Sequence, residues 1–156
     1  MRRMNNRMEV IFPSLAENES LARMAISAFL VLADPAVSVV AEVRTAVSEA
    51  VTNAVVHAYS NETGQIALRA QMCGDSVRIE VEDFGCGIED VERAMRPFFT
   101  TRPDEERTGM GFALMQSFMD DVRVISQPGR GTRVEMEKRL WAQAGEEEAP
   151  CSRAAL

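Results

Sequence analysis

Read as apolar and polar positions, the chain changes period several times. Residues 8–12 form a short apolar run closed by Pro13-Ser14, which predicts a strand. Asn18 and Ser20 supply helix-capping side chains ahead of residues 21–32, where Met24, Ala25 and Ala28 make an apolar stripe. Asp34-Pro35 breaks that helix and starts the next, with proline at an early position where its missing N–H does no harm. Residues 36–59 are then helical in pattern. After them the period falls to two. Ile66, Leu68, Ala70 and Met72 share one face of residues 65–73, Gly74-Asp75 signals a hairpin, and Val77, Ile79 and Val81 alternate with Arg78, Glu80 and Glu82. Residues 88–95 read as a short helix stopped by Pro97, and residues 110–119 as another. Residues 122–126 and 132–138 flank Pro128-Gly129-Arg130-Gly131 as a second hairpin. Strands in one layer and helices in the other predict an α+β two-layer sandwich.

Size and charge narrow the picture. A chain of 156 residues is one domain's worth, assigned here to residues 1–140. Residues 141–156 turn to Ala, Gly and a Glu146-Glu147-Glu148 run and read as a disordered tail. No stretch approaches the roughly 18 consecutive apolar residues of a membrane span, and the basic start lacks the apolar run of a signal peptide. The expected address is the cytoplasm. A net charge of −7 argues against nucleic-acid binding, which needs clustered Lys and Arg, and suits a protein partner with basic patches. Cys73, Cys86 and Cys151 have no metal-site spacing and read as three reduced thiols. His57 is the only histidine.

The candidate chemistry lies in three short stretches. On a wheel at about 100° per residue, Val40, Val43, Val47, Ala50, Val51, Ala54 and Val55 fall on one arc of the long helix, and Glu42, Glu49 and Asn53 on the other. Such a polar side is ordinarily solvated surface, yet asparagine is a poor helix former and costs stability there without a task. Glu49 can take a proton from an attacking hydroxyl and Asn53 can offer an amide oxygen to a hard cation. Asp83 ends a strand on its inward face, where a lone carboxylate is expensive, and can accept from the exocyclic amine of a base. It leads into Gly85 and Gly87, which permit close backbone approach to a flat ligand, although an Asp before such a turn is also common in its own right. Gly109 and Gly111 open the helix at residues 110–119, where N–H groups favour phosphate. Arg102 and Arg107, in the polar segment before these glycines, are candidates for a terminal phosphate as a lid closes over residues 98–108. Thr132, starting the last strand, is placed to hydrogen-bond the base or its water. No P-loop motif occurs, so a Walker-type ATPase is excluded. The pieces together describe a nucleoside triphosphate site.

Glu-x-x-x-Asn, Asp-x-Gly-x-Gly, Gly-x-Gly and a final Gly-Thr, in this order, resemble the Bergerat-fold ATP site of DNA gyrase, heat-shock chaperones, histidine kinases and mismatch-repair ATPases. The closer resemblance is to the small anti-sigma serine kinases, in particular the sporulation anti-sigma F family. It rests on Asn18-Glu19-Ser20-Leu21-Ala22-Arg23, Val47-Ser48-Glu49-Ala50-Val51-Thr52-Asn53-Ala54, Phe98-Phe99-Thr100-Thr101, Glu106-Arg107-Thr108-Gly109-Met110-Gly111-Phe112 and Phe118-Met119-Asp120-Asp121-Val122, and spans roughly residues 8–140. Ala58 departs from the glycine of the sporulation branch.

The resemblance implies a mixed, mostly antiparallel sheet covered on one face by helices, and a kinase using ATP and Mg²⁺. Asn53 would hold the metal, with Glu49 as general base and Arg107 assisting transfer. Thr100, Thr101, Thr108, Met110 and Phe112 would join Asn53, Asp83, Gly85, Gly87, Gly109, Gly111 and Thr132 around the nucleotide. The phosphate acceptor would be a serine of an anti-anti-sigma protein. The ATP-bound homodimer would hold a sporulation sigma factor, with Arg23 contacting both partners. A sensor histidine kinase does not fit, because His57 lies inside the nucleotide helix. A general-stress anti-sigma kinase, or a nucleotide-gated binding module without kinase activity, are the alternatives.

Overall fold

The computed structural model describes residues 5–97 and 110–141. Alternation in the sequence becomes a five-stranded sheet in the order β1-β2-β3-β5-β4. Its strands are β1 (Arg7–Pro13), β2 (Gln65–Cys73), β3 (Ser76–Asp83), β4 (Asp121–Gln127) and β5 (Gly131–Arg139). Every pairing is antiparallel. The mixed sheet expected from the resemblance is thereby corrected: β2–β3 and β4–β5 are hairpins, and β5 returns antiparallel against β3. The helices are α1 (Asn18–Val31), α2 (Val37–Asn53), the single turn α3 (Val91–Ala94) and α4 (Gly111–Phe118).

One face of the sheet carries the core. Ile66, Leu68, Ala70 and Met72 of β2 and Val77, Ile79 and Val81 of β3 are buried with Val134 and Met136 of β5. Ala22, Ile26, Phe29 and Leu30 of α1 and Val43, Ala46, Val47, Ala50 and Val51 of α2 cover them. Thus the apolar stripe of Met24, Ala25 and Ala28 is not the core face of α1, since Met24 is 68% exposed. Burial of these side chains is the main driving force of the fold, about 25 cal/mol per Å² of apolar surface.

Several boundaries differ from expectation for identifiable reasons. Asn18 does not cap α1 with its oxygen; its Nδ2 donates to the Pro13 carbonyl at 2.9 Å, and Glu17 holds the cap position. Pro35 lies before α2, whose cap is Ala36, and Asp34 absorbs the bend at φ 51°. The long helix leaves α geometry at Ala54, and Ala54–Ala58 forms a π turn. The helix expected over residues 88–95 is reduced to α3, because Asp90 caps it by accepting from Arg93 N. Among the described residues Cys86 is a free thiol, and Cys151 lies outside them. The tail proposed for residues 141–156 lies, apart from Trp141, outside the described residues. No helix among the described residues is long and apolar enough to cross a membrane.

Candidate nucleotide site

Packing of Val47, Ala50 and Val51 fixes the rotation of α2, and the opposite side carries Glu49 and Asn53, both half-buried. Gly111, the first residue of α4, stands directly against them. A Cβ placed on Gly111 would lie 3.1 Å from Glu49 Oε2, 3.3 Å from Asn53 Nδ2 and 3.4 Å from Asn53 Oδ1. Met110 is the N-cap of α4 and no side chain caps it. A carboxylate, an amide and an uncapped helix start, whose first N–H groups have no partner within the helix, therefore meet in one place. Residues 49, 53 and 111 are brought together from distant parts of the sequence.

Asp83 ends β3 and is only 7% exposed. Its Oδ1 accepts from Gly85 N at 3.0 Å and from Thr132 N at 3.2 Å. Burial pushes its carboxyl above the usual range, and the Gly85 and Thr132 N–H groups oppose that shift. The donors that a buried carboxylate needs are in part backbone N–H groups: one oxygen is held by the protein and sets the direction of the other.

Its turn is pinned from two sides. Cys86 N donates to the Ala58 carbonyl at 2.8 Å, and Cys86 Sγ to the His57 carbonyl at 3.2 Å. These acceptors belong to the π turn at the end of the nucleotide helix, and such single π turns recur at functional sites. Gly85 cannot carry a side chain, since a Cβ there would sit 2.0 Å from the Ala58 carbonyl oxygen. Gly87 packs on the Gln127 carbonyl of β4, and Gly129 N donates to the Cys86 carbonyl at 2.7 Å. The Thr132 and Ser126 hydroxyls share a hydrogen bond at 2.8 Å, and Ser126 Oγ accepts from Ile88 N at 2.7 Å.

Sequence reasoning missed two groups here. Tyr59 Oη donates to the Gln65 carbonyl at 2.5 Å and accepts Phe84 N at 2.8 Å, tying the end of the π turn to the Asp83 turn. Burial raises its pKa. Ser126 holds Thr132 and Ile88, and its place on β4 alone gave no signal. Tyr59, the only tyrosine, was visible as a polar-tipped ring where the helix pattern ends.

Phe112 is half-buried in α4 against the core. Arg23 lies on α1, with its side chain 45% exposed and Nε 3.0 Å from Glu19 Oε1. Thr100, Thr101, Arg102, Arg107, Thr108 and Gly109 lie outside the described residues, as does the lid expected over residues 98–108. Glu42 of the same polar arc serves the fold, its Oε2 lying 2.6 Å from Lys138 Nζ on β5. Among the described residues no group of three or more His, Cys, Asp or Glu side chains could hold a metal ion.

Residues 12–138 match the histidine kinase-like ATPase domain family, a class of ATP-binding domain. The anti-sigma F factor of Caldanaerobacter subterraneus is 54% identical over 136 residues, covering 87% of this chain and 95% of that protein. The anti-sigma F factor of Clostridium botulinum strain Eklund 17B is 47% identical over 86% of this chain and 95% of its own. The chain belongs to this ATPase family and, within it, to the anti-sigma F factors. Among solved structures, the RsbU and RsbW domains of a Mycobacterium tuberculosis protein share the fold, with a TM-score of 0.65 at 20% identity over 86% of this chain and 32% of that one. A blue-light activated histidine kinase from Erythrobacter litoralis aligns over 69% of this chain and 32% of its own, with a TM-score of 0.54 at 28% identity.

Proposed function

We propose that the chain is an anti-sigma factor and protein serine kinase of the cytoplasm. It transfers the γ-phosphoryl group of ATP to a serine of a small anti-anti-sigma protein. As an ATP-bound homodimer it holds a sporulation sigma factor away from RNA polymerase. The observation that carries this reading is the convergence of Glu49, Asn53 and the start of α4, with Asp83 buried at the end of β3, whose following turn packs on the π turn that continues the same helix.

The residues present fit the nucleotide. The free oxygen of Asp83 accepts from the adenine amine, while Gly85 and Thr132 hold the first oxygen so that the second cannot turn away. The helix start at Gly111 leaves room for phosphate because it has no Cβ. Asn53 supplies an amide oxygen to Mg²⁺, an ion that keeps most of its remaining positions for water and phosphate oxygens. When bound, Mg²⁺ neutralises charge on the transferring phosphoryl group. Glu49 orients the acceptor serine and takes its proton. The site holds a base and a metal ligand, so transfer depends on positioning and charge stabilisation. The family supports the anti-sigma role, since relatives carrying that name match nearly end to end.

The test uses radiolabelled ATP with the purified anti-anti-sigma protein of the same cell. Wild-type chain should label a serine. Glu49→Gln should bind ATP with little change and lose transfer by about 10²–10⁴-fold, the usual contribution of a general base. ATP binding by wild type without any labelling would instead identify a nucleotide-gated binding module. Near-normal transfer by Glu49→Gln would remove Glu49 from the role.

A further inference from the structure

α4 is eight residues long, and its one buried residue is Met115. A helix this short is not stable by itself, so contacts with the rest of the protein set its place. Its start is open: no side chain caps it at Met110, and Gly111 stands against Glu49 and Asn53. Its end is fastened. Lys138 Nζ of β5 donates to the carbonyl of Phe118, the last residue of α4, at 2.7 Å, and the same Nζ lies 2.6 Å from Glu42 Oε2 on α2. Beside it, Asp120 N donates to the Glu137 carbonyl at 2.9 Å, and Asp120 Oδ2 accepts from Arg139 N at 2.6 Å.

The Lys138 ammonium answers two needs at once. The last carbonyls of a helix have no partner within it, and a cation there also meets the negative end of the helix dipole. α4 has no basic residue in its own last turn, so β5 supplies the charge. That charge also pairs with Glu42, which binds the clamp to α2. Spacing links the clamp to the site. Glu49 follows Glu42 by seven residues on α2, and Gly111 precedes Phe118 by seven on α4, about two turns in each. Lys138 joins the helices at one end of this span and Glu49 meets Gly111 at the other, so the two run antiparallel, side by side.

We propose that Lys138 is a positioning residue for phosphate: by tying Phe118 to Glu42 it fixes the register of α4 on α2, and with it the place of the helix start opposite Glu49 and Asn53. The inference rests on the proposed reading of this site as an ATP site. Lys138 acts from the far end of α4, two turns from Gly111. Its effect falls on the phosphates and not on the base, because Asp83 is held by Gly85 and Thr132, which α4 does not carry.

The experiment measures calorimetric affinities of the full chain for ATP, ADP and adenosine with Mg²⁺, and kcat for transfer to the host cell's anti-anti-sigma protein. Lys138→Met, which keeps the alkyl stem and loses the charge, is compared with Lys138→Arg and Glu42→Gln. Thermal unfolding checks that each folds. Lys138→Met should weaken ATP and ADP about tenfold, the value of a hydrogen bond to a charged group, and leave adenosine unchanged. It should lower kcat by about 10²-fold, the cost of a misplacement near 1 Å. Lys138→Arg, which keeps the cation and its donors, should restore both. A brace that only stabilises the fold would weaken all three ligands alike, and that result overturns the inference. Should Lys138→Met not fold, Glu42→Gln carries the test: its ATP-to-adenosine ratio should drop about two- to threefold, the worth of a partly exposed ion pair, and an unchanged ratio overturns the inference. If wild type binds adenosine as tightly as ATP, the phosphate reading of α4 fails and this inference with it. If wild type prefers ATP and Lys138→Met keeps both that preference and kcat, the ATP site stands and the positioning role is overturned.

Discussion

Asp83 serves fold and ligand with different atoms. Its Oδ1 closes the turn to Gly85 and meets Thr132, and its burial raises the pKa because the charged form is poorly solvated. For an acid, a raised folded pKa means that the native state binds the proton more tightly than the unfolded chain. Stability from this group is therefore greatest at low pH and falls as pH rises from the unfolded value near ~3.9 through the raised folded one. Asp83→Asn keeps an oxygen for Gly85 and Thr132 and removes the charge. It should be at least as stable as wild type near neutral pH, and its advantage should grow between acid and neutral conditions, as read from thermal midpoints across that range. The same variant should lose ATP and ADP alike by about 10- to 100-fold, the value of a hydrogen bond to a charged group. Unchanged nucleotide affinity would overturn the adenine assignment.

At the scale of elements, the site depends on two turns pressed against backbone. The π turn Ala54–Ala58 presents the Ala58 carbonyl to Cys86 N, and Gly85 lies in the space this leaves. Gly85→Ala must push the Asp83 turn away from the nucleotide helix, at the ~1–3 kcal/mol typical of overpacking. It should lower the thermal midpoint and weaken ATP and ADP together, because the Gly85 bond to Asp83 opens. Gly129→Ala is the control. That glycine has φ +77° but nothing within 4 Å of a Cβ, so its cost is backbone strain alone, about 1–2 kcal/mol. Calorimetric titration of the two variants should show nucleotide loss for Gly85→Ala and not for Gly129→Ala. Equal loss in both would mean that strain anywhere in the hairpin region disables the site.

Over the whole molecule, the sheet face without helices is closed by its own charges. Glu9, Arg69, Glu80 and Glu135 stand opposite one another across β1, β2, β3 and β5. Arg69 Nε is 2.8 Å from Glu9 Oε1, and its Nη1 is 2.6 Å from Glu82 Oε2 and 3.7 Å from Glu80 Oε2. Arg78 lies 3.4 Å from Glu80 and 3.6 Å from Glu135, which relieves the like charges on neighbouring strands. Glu80 is 2% exposed, and desolvation raises its pKa against the pull of Arg133, Arg78 and Arg69. Removing Arg69 leaves Glu80 and Glu82 less compensated. Arg69→Ala should cost about 1–3 kcal/mol, less than breaking a fully buried pair. The loss should shrink as pH falls through the raised Glu80 pKa and be largest at pH values where Glu80 is charged. Urea unfolding on either side of that pKa measures this, and a pH-independent loss would show that Arg69 acts through packing.

Much of this architecture was already written in periodicity. Alternation in β2 and β3 and the apolar arc of α2 place those elements, because a side chain's neighbours along one strand or helix share its face whatever the rest of the chain does. The spacing of Glu49 and Asn53 put both on one side of α2 for the same reason. What periodicity does not carry is distance between segments. Arg78 and Glu80 are the polar alternates of β3, and they are buried because Arg69, Glu135 and Arg133 from adjacent strands fold over them. The π turn, the second partner of Asp83 and the Lys138–Phe118 bond also escape local pattern, since each is a hydrogen bond between residues 20 to 49 positions apart or a response to one. Local sequence chose which face each residue takes; packing of α2, α4 and the β4–β5 hairpin around β3 chose which of those residues meet.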